Sequence, residues 1–185
     1  MVKYNSDAKY LVVARNPKDC VVSFYHHTRG FPKHYDFAEG DFNTYFDLFK
    51  EGKVDFGCYY EMTKSWFDQR HHPNVLFLTY ERIVSDKKQV IKEIANFLSQ
   101  DLASKLEENE SALMERILLH SSVESMKKDP LRWCSERDGK FTPFIRKGES
   151  GDWLSQLSHA QAEILDKKTR EYFNQEELNE LGDKY

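Results

Sequence analysis

An arginine, an asparagine and a proline stand where a short apolar run of the sequence ends and a helical pattern begins. The run covers residues 9–14, and Arg15, Asn16 and Pro17 follow it directly. Ligands of parallel α/β sheets bind at the carboxyl ends of the strands, and a guanidinium group donates well to phosphate oxygens. Ser23 follows about two helical turns later, roughly 10 Å of rise. The spacing predicts an anion site formed by Arg15 and Ser23.

A purely structural interpretation of these two residues stays open at this point. Arg15 would then pair with a carboxylate, and Ser23 would be an ordinary serine on a helix surface. Short motifs match by chance often enough that the two residues alone do not decide between a phosphate site and an ion pair.

A second basic stretch, RKGESGDW, covers residues 146–153. Arg146 and Lys147 precede Gly148, and a glycine lets the backbone approach a ligand closely. Such a loop can clamp a phosphate with its cations and backbone donors. By itself the stretch is better interpreted as a solvated charged turn, because short basic runs are common.

Two pairs of adjacent histidines, His26–His27 and His71–His72, raise the question of a metal site. Adjacent residues do not share a helix face, and no carboxylate–histidine constellation surrounds either pair. We therefore predict no metal. The sequence also lacks the motifs of P-loop nucleoside triphosphatases, serine hydrolases, zinc proteases and dinucleotide-binding folds.

Composition narrows the class of protein further. The chain has 185 residues and a net charge of −4, which argues against general nucleic-acid binding. Cys20, Cys58 and Cys134 are widely spaced and form no CxxC pair, which fits a reducing compartment. No run of about 18 apolar residues could cross a bilayer, and no secretory signal is visible. We predict a cytoplasmic protein with no membrane and no nucleic-acid partner.

Strand and helix patterns alternate along the chain. Strands are predicted at residues 9–14 and 74–79, and helices at residues 17–28, 41–51, 57–70, 86–99, 101–119 and 158–173. The alternation predicts an α/β fold with a buried parallel sheet. Two strands are too few to shield the two faces of such a sheet. Either strands have been missed or part of the fold is absent.

The sequence also predicts which helix faces are buried and where the long loop and the tail lie. Spacings of three and four residues predict two inner helix faces, one formed by Phe42, Tyr45, Phe46 and Phe49 and the other by Tyr59, Met62 and Trp66. Residues 129–151 are predicted to form a long loop of the kind that often carries function. Residues 174–185 are predicted to be a weakly ordered tail.

Taken together, four stretches resemble the cytosolic sulfotransferase family. YLVVARNPKDCVVSFYHH is similar to the family's signature for the 3′-phosphate of 3′-phosphoadenosine-5′-phosphosulfate, and FIRKGESGDW is similar to its RKGxxGDW loop. VLFLTYERI and HSSVESMKKDP match the family in order and spacing. The resemblance extends from about Lys9 to about Phe173 and implies a P-loop-like three-layer fold with a parallel central sheet flanked by helices.

The resemblance implies roles for residues along the whole chain. The 3′-phosphate would be held by Arg15 and Ser23 from one side and by Arg146, Lys147 and Gly148 from the other. The adenine would be contacted by Tyr80, Ser121, Ser122, Val123 and Met126. His34 and Phe56 would face the acceptor, and Trp153 would pack beneath the loop.

The implied reaction is transfer of a sulfuryl group from this donor to a hydroxyl of a small phenol, steroid or other alcohol. Adenosine 3′,5′-bisphosphate (PAP) is the second product, and no metal takes part. The family's TYPKSGTTW-like loop and KTHLP-like histidine segment do not occur here, so we assign no catalytic residue and expect both segments upstream of Met1. We interpret residues 1–185 as one N-terminally truncated domain.

Three further points bear on the function. The first is that the chain as it stands can be an inactive fragment, or a nucleotide-binding or interaction module. A kinase relative that uses ATP is disfavoured, because signatures for a 3′-phosphate have no purpose there. The third point is the oligomeric state. The family's dimerisation segment, KxxxTVxxxE, falls on Leu154, Ser158, His159 and Glu163, and only the glutamate is retained. A homodimer is therefore an open alternative to a monomer.

Overall fold

The computed structural model of the chain describes residues 5, 7–108, 110–133 and 143–182. Cys134 and residues 134–142 of the predicted long loop lie outside the described residues. The described part has two strands, β1 (Tyr10–Ala14) and β2 (Val75–Thr79). The helices are α1 (Pro17–Arg29), α2 (Phe42–Lys50), α3 (Tyr59–Phe67), α4 (Tyr80–Ser85), α5 (Lys87–Leu98), α6 (Gln100–Glu108), α7 (Glu110–His120), α8 (Val123–Lys127), α9 (Pro130–Trp133), α10 (His159–Tyr172) and α11 (Gln175–Leu181), with a 3-10 helix at Asp152–Ser155.

The two strands form a parallel ladder. Tyr10 lies opposite Val75, and Ala14 lies opposite Thr79. Helices α1, α2 and α3 make the connection between the strands, as parallel pairing requires. The prediction of an α/β fold with a parallel sheet is confirmed. Both strands end at the same edge, so the residues that follow them, Arg15 and Tyr80, come from neighbouring strand ends.

One face of β1 is more open than the sequence predicts. Leu11 and Val13 are 43% and 46% exposed, whereas Ala14 is buried. The apolar run was expected to be a strand buried on both faces, and that expectation is wrong for β1. The exposed positions alternate along β1, as expected for side chains on one face of a strand.

The main core lies between α1, α2, α3 and α10. Its buried members are Val21, Val22, Tyr25, Phe42, Tyr45, Phe46, Phe49, Tyr59, Tyr60, Leu157 and Leu165. The predicted stripe of α2 is thus confirmed in full. The predicted face of α3 is wrong at Met62, which is 44% exposed, because Thr63 and Phe67 take the inward positions.

Helix ends follow from local chemistry. Asn16 caps α1 by accepting a hydrogen bond from the backbone of Lys18, with proline at the first helical position. Ser158 and Gln161 form a capping box at the start of α10. The predicted elements leave residues 80–85 without a helix, but α4 begins at Tyr80, where the Thr79 side chain caps it.

The C-terminal segment is ordered into a helix, and the prediction of a weakly ordered tail is wrong from residue 174 to residue 182. Asn174 and Glu177 form a capping box for α11. Leu181 is 4% exposed and belongs to a cluster with Phe67 and Phe173. The capping pattern was visible in the sequence, but the burial of Leu181 depends on packing that the local pattern does not reveal.

Candidate anion-binding site

Arg15 joins three elements at the carboxyl end of β1. Its guanidinium group lies over the Tyr80 ring, 4.4 Å from the ring centroid, and Nη2 donates to the carbonyl oxygen of Glu149 at 2.9 Å. The Tyr59 hydroxyl donates to the Arg15 carbonyl oxygen at 2.6 Å. The arginine is therefore held by α3, α4 and the loop at residues 146–151.

The Nε group of Arg15 is buried and has no hydrogen-bond partner among the described residues. A buried donor without an acceptor carries a desolvation cost, and a phosphate oxygen would remove that cost. The alternative in which Arg15 serves only an ion pair with a carboxylate does not fit, because its observed partners are a carbonyl oxygen and an aromatic ring.

A buried carboxylate supports the turn that carries Arg15. Glu81 is 5% exposed, and its Oε1 accepts a hydrogen bond from the Asn16 backbone at 3.0 Å. Burial raises the pKa of Glu81 above its ordinary value, and the bond from Asn16 only partly offsets this. Glu81 thus ties the start of α4 to the turn between β1 and α1.

Asp19 connects α1 to the second basic stretch. Its side chain is 1% exposed, and its two oxygens accept from the Gly151 backbone at 2.6 Å and the Trp153 backbone at 3.0 Å. Lys18 lies over the Trp153 ring, 4.6 Å from the centroid. The ring also packs against the main core, which confirms the expected packing role of Trp153.

The two cations of the second stretch converge on one carboxylate. Arg146 and Lys147 both pair with Asp152, whose side chain is 5% exposed. Burial alone would raise the pKa of Asp152, but hydrogen bonds from Lys147 and Arg146 and their charges outweigh it and hold the pKa below the ordinary value of 3.8. The stretch is therefore a folded loop and not a solvated turn.

Gly148 lies against the start of α8. Its φ angle is +72°, and a Cβ built there would lie 2.2 Å from Cγ2 of Val123. Any side chain would be strained by the left-handed backbone and would also collide with the valine. This contact brings the segment of residues 121–126 against the basic loop.

The serines before α8 have different surroundings. Ser122 caps α8 by accepting from the Ser125 backbone at 3.1 Å, while the Ser121 hydroxyl is buried and has no partner among the described residues. Lys87 donates to the Ser121 carbonyl oxygen at 3.1 Å. Met126 lies in the first turn of α8, half-buried. A buried, unpaired hydroxyl beside the loop is a second group whose hydrogen bond a ligand could supply.

A cavity of about 470 Å³ opens beside Arg15. The described residues that line it are Arg15, Cys20, Ser23, Phe24, His26, His27, Phe49, Val54, Asp55, Phe56, Gly57, Tyr59, Met62, Pro143, Phe144 and Arg146. It joins Arg15, Ser23 and Arg146, which the two signatures predicted from distant parts of the sequence, and it includes Phe56.

His34 lies outside the wall of this cavity. It is exposed and is not among the described residues that line it. Its ring lies 6.0 Å from that of Phe31, and Phe31 in turn lies 4.7 Å from His27. The place of His34 at the acceptor stays a prediction. His27, one helical turn after Ser23, does line the cavity.

Two titratable side chains of α1 line the cavity although the sequence did not assign them to the site. Burial lowers the pKa of His26, and the charge of Arg146 lowers it further, so the imidazole is neutral near pH 7. Burial raises the pKa of the Cys20 thiol to about 12, so it is not a nucleophile there. The i, i+3 spacing of Cys20, Ser23 and His26 on α1 is the signal that could have found them.

The surrounding chemistry suits a phosphate-bearing ligand. Buried donors at Arg15 and Ser121 lack acceptors, and the glycine at position 148 lets the loop close against α8. In the part of the chain that is described, no three histidine, cysteine or acidic side chains gather in a group able to hold a metal ion. None of the helices in that part has the length and hydrophobicity that a bilayer crossing requires.

Comparison with known proteins adds independent information. A family model described as the sulfotransferase domain matches residues 2–181. Sulfotransferase 1C2 of Rattus norvegicus is 33% identical over 181 residues, 95% of this chain and 58% of that relative. Sulfotransferase 1 family member D1 of Mus musculus is 34% identical over 165 residues, 86% of this chain and 53% of that relative. The chain thus spans a little over half the length of these curated relatives.

Solved structures show the same likeness. Retinol dehydratase in complex with androsterone and the inactive cofactor PAP aligns with a TM-score of 0.70 at 26% identity, covering 90% of this chain and 48% of that one. Mouse sulfotransferase SULT7A1 complexed with PAP aligns with a TM-score of 0.70 at 24% identity, covering 94% of this chain and 60% of that one. The second match supports the fold alone.

Proposed function

The chain belongs to the cytosolic sulfotransferase family, and on that premise we propose that the whole protein transfers a sulfuryl group from 3′-phosphoadenosine-5′-phosphosulfate to a hydroxyl of a small phenol, steroid or other alcohol. The observation that carries the proposal is the meeting of Arg15, Ser23 and Arg146 at one cavity. These residues come from two signatures far apart in the sequence.

In this proposal the residues of the site bind and orient the donor. Arg15 and Ser23 hold the 3′-phosphate, and Arg146, Lys147 and the backbone of Gly148 close over it. Tyr80 and the segment Ser121–Met126 form the adenine side of the site. The contact of Gly148 with Val123 supports this arrangement, since it joins the phosphate loop to the adenine segment. PAP bound in the retinol dehydratase structure is consistent with such a ligand.

The cavity offers the proposed acceptor a largely aromatic wall. Phe24, Phe49, Tyr59 and Phe144 line it together with Phe56. Aromatic side chains bury flat apolar molecules well. We further propose that the protein acts in the cytoplasm on small molecules.

Calorimetric titration tests the donor assignment. Adenosine 3′,5′-bisphosphate is expected to bind the chain more tightly than adenosine 5′-monophosphate, because the 3′-phosphate is the group that the cations contact. Arg15→Ala should weaken bisphosphate binding by about tenfold or more, since a hydrogen bond to a charged group is worth about 1.5–3 kcal/mol. The affinity for the monophosphate should change little.

Arg29→Ala is the matched control. Arg29 lies at the far end of the same helix and bonds to Ala38 and Tyr25, so bisphosphate affinity should stay at the wild-type value. Equal affinity for the two nucleotides, equal loss in both arginine variants, or a preference for ATP would contradict the donor assignment.

A second candidate is that this chain binds the nucleotide without transferring sulfate. The observation that favours it is the share of the relatives' length that the chain spans, 58% and 53% for the two named above. An assay with labelled donor and a panel of phenols and steroids separates the two candidates. Bisphosphate binding without any labelled product would favour the second.

A further inference from the structure

We propose that the cavity selects an acceptor that carries a protonated amine, bound by Asp55 and by the neighbouring rings of Phe24 and Phe56. The inference rests on the proposed function, because it treats the cavity as the acceptor site. It narrows the acceptor from phenols and alcohols in general to a cationic, amine-bearing subclass.

Asp55 is the one carboxylate among the described residues that line the cavity. It is exposed to solvent, so a ligand can reach it. Its Oδ2 accepts a hydrogen bond from the Tyr35 hydroxyl at 2.7 Å. This bond orients the carboxylate without neutralising it, and it raises the pKa of the Tyr35 hydroxyl. Among the described residues no lysine, arginine or histidine forms an ion pair with Asp55, whose charge is thus available to a ligand.

Two aromatic rings line the cavity together with this carboxylate. The Phe24 and Phe56 rings are stacked, with centroids 6.2 Å apart and an interplanar angle of 27°. Phe56 directly follows Asp55 in the sequence and is 81% exposed. A cation over an aromatic face is attracted by the ring quadrupole. A carboxylate followed directly by an exposed aromatic ring is a combination that suits an organic ammonium group.

The backbone holds Phe56 in an unfavourable conformation. Its φ angle is +68°, in the left-handed region that a bulky residue avoids. Such strain persists only where the surroundings enforce it, and it concentrates at ligand sites. The conformation keeps a largely exposed apolar ring at the cavity wall, with its contact to Phe24.

Asp55 is a negative charge in a cavity wall whose other permanent charges, among the described residues, are positive. Arg15 and Arg146 supply the positive charge of the wall, and the proposed function gives both to the 3′-phosphate of the donor. They come from the end of β1 and the basic loop, whereas Asp55 comes from the connection between α2 and α3. An acceptor with an ammonium group is complementary to the Asp55 segment of the wall, which those cations do not occupy.

Two phenols that differ in charge test the proposal on the full 185-residue chain. The probes are 4-(2-aminoethyl)phenol and 4-ethylphenol, titrated by calorimetry at pH 7 with and without the bisphosphate. The amine is expected to bind about fivefold more tightly, as one partly exposed ion pair with a cation–π contact allows. Asp55→Asn should bring the two affinities within about twofold of each other, mainly by weakening the amine.

Glu51→Gln is the control for long-range charge. Glu51 lies four residues earlier, is exposed, and pairs with Lys53 at 2.8 Å, outside the cavity wall. This variant should keep the full amine preference. Equal binding of the two probes, binding of neither, or a preference that survives Asp55→Asn would overturn the amine site.

The bisphosphate titration of the same samples separates this inference from the proposed function. Bisphosphate binding without amine preference overturns the amine site alone. Amine preference that depends on Asp55 in a chain that binds no bisphosphate supports the amine site and contradicts the donor assignment.

Discussion

Asp152 shows how a single residue shapes the basic loop. Its carboxylate is nearly buried between Arg146 and Lys147, the cations that the proposed function gives to the 3′-phosphate. Without it, two positive charges would face each other across a tight loop. The carboxylate therefore compensates the cations and keeps them together at the place where they are proposed to meet an anion.

The pKa of Asp152 leads to a prediction about acid stability. Because its pKa is lower in the folded protein than in the unfolded chain, Asp152 adds stability above the unfolded value, and this contribution disappears as the pH falls through the folded value. Asp152→Asn should lower the free energy of unfolding at pH 7 by about 1–2 kcal/mol. It should also flatten the loss of stability below about pH 4, measured by urea unfolding at a series of pH values.

Asp101→Asn provides the comparison for acid stability. Asp101 forms an exposed ion pair with Lys105 on α6, and such pairs contribute little to stability. A plot of the free energy of unfolding against pH for this variant should run parallel to that of the wild type. If the plot for Asp152→Asn also ran parallel to that of the wild type, the ion pairs of Asp152 would not stabilise the fold.

At the scale of elements, α1 carries both halves of the candidate site. Arg15 precedes it, Ser23 and His26 lie along it, and Asp19 in its first turn binds the backbone of the basic loop. The loop's position is therefore determined by a side chain of α1. This explains why the two signature stretches, distant in sequence, share one cavity.

Asp19→Asn should weaken this connection. An amide offers one acceptor oxygen where the carboxylate offers two, and its NH₂ group would face a backbone donor. The variant should lose about 2–3 kcal/mol of stability in urea unfolding. It should also bind the bisphosphate more weakly than the wild type at temperatures where both are folded, because the basic loop is no longer held against α1.

The surface variant Asp47→Asn is the reference for Asp19→Asn. Asp47 forms an exposed pair with Lys50 on α2, and its loss should cost about 0.5 kcal/mol or less. If Asp19→Asn behaved like Asp47→Asn in both measurements, the hydrogen bonds to Gly151 and Trp153 would not position the loop.

At the scale of the molecule, the sheet has an open apolar face. β1 and β2 pair with each other, and Leu11 and Val13 meet solvent. Strand edges and apolar strand faces that remain open promote association between chains. The helical side of the molecule, by contrast, has a continuous core formed by α1, α2, α3 and α10.

We predict that the open face of β1 drives self-association of the chain. Leu11→Lys combined with Val13→Lys should reduce the association seen in sedimentation velocity at increasing concentration, with little loss of stability, because both side chains are already largely exposed. Leu78→Lys on β2, where the side chain is 1% exposed, should instead unfold the chain. A monomeric wild type, or unchanged association in the double variant, would refute this role of β1.

Much of the local structure follows from the sequence. The aromatic stripe of α2 lies where its pattern predicts, and the caps at Asn16 and Ser158 also depend on residues within two turns of one another. The alternation of strands and helices likewise predicts the parallel sheet. The capping-box residues of α11 can be recognised in the sequence, but the helix has too few apolar residues to indicate that one face is buried.

The sequence by itself determined which residues are able to bind an anion: Arg15, Ser23 and the RKG loop. Only the tertiary structure decided their arrangement. It placed Asp19 against a backbone 132 positions away, Val123 against Gly148, and His27 and Asp55, but not His34, in the cavity wall. These contacts depend on how helices pack over the sheet. Local patterns of apolar and polar residues record which face of an element is buried, but not which distant residue it meets there.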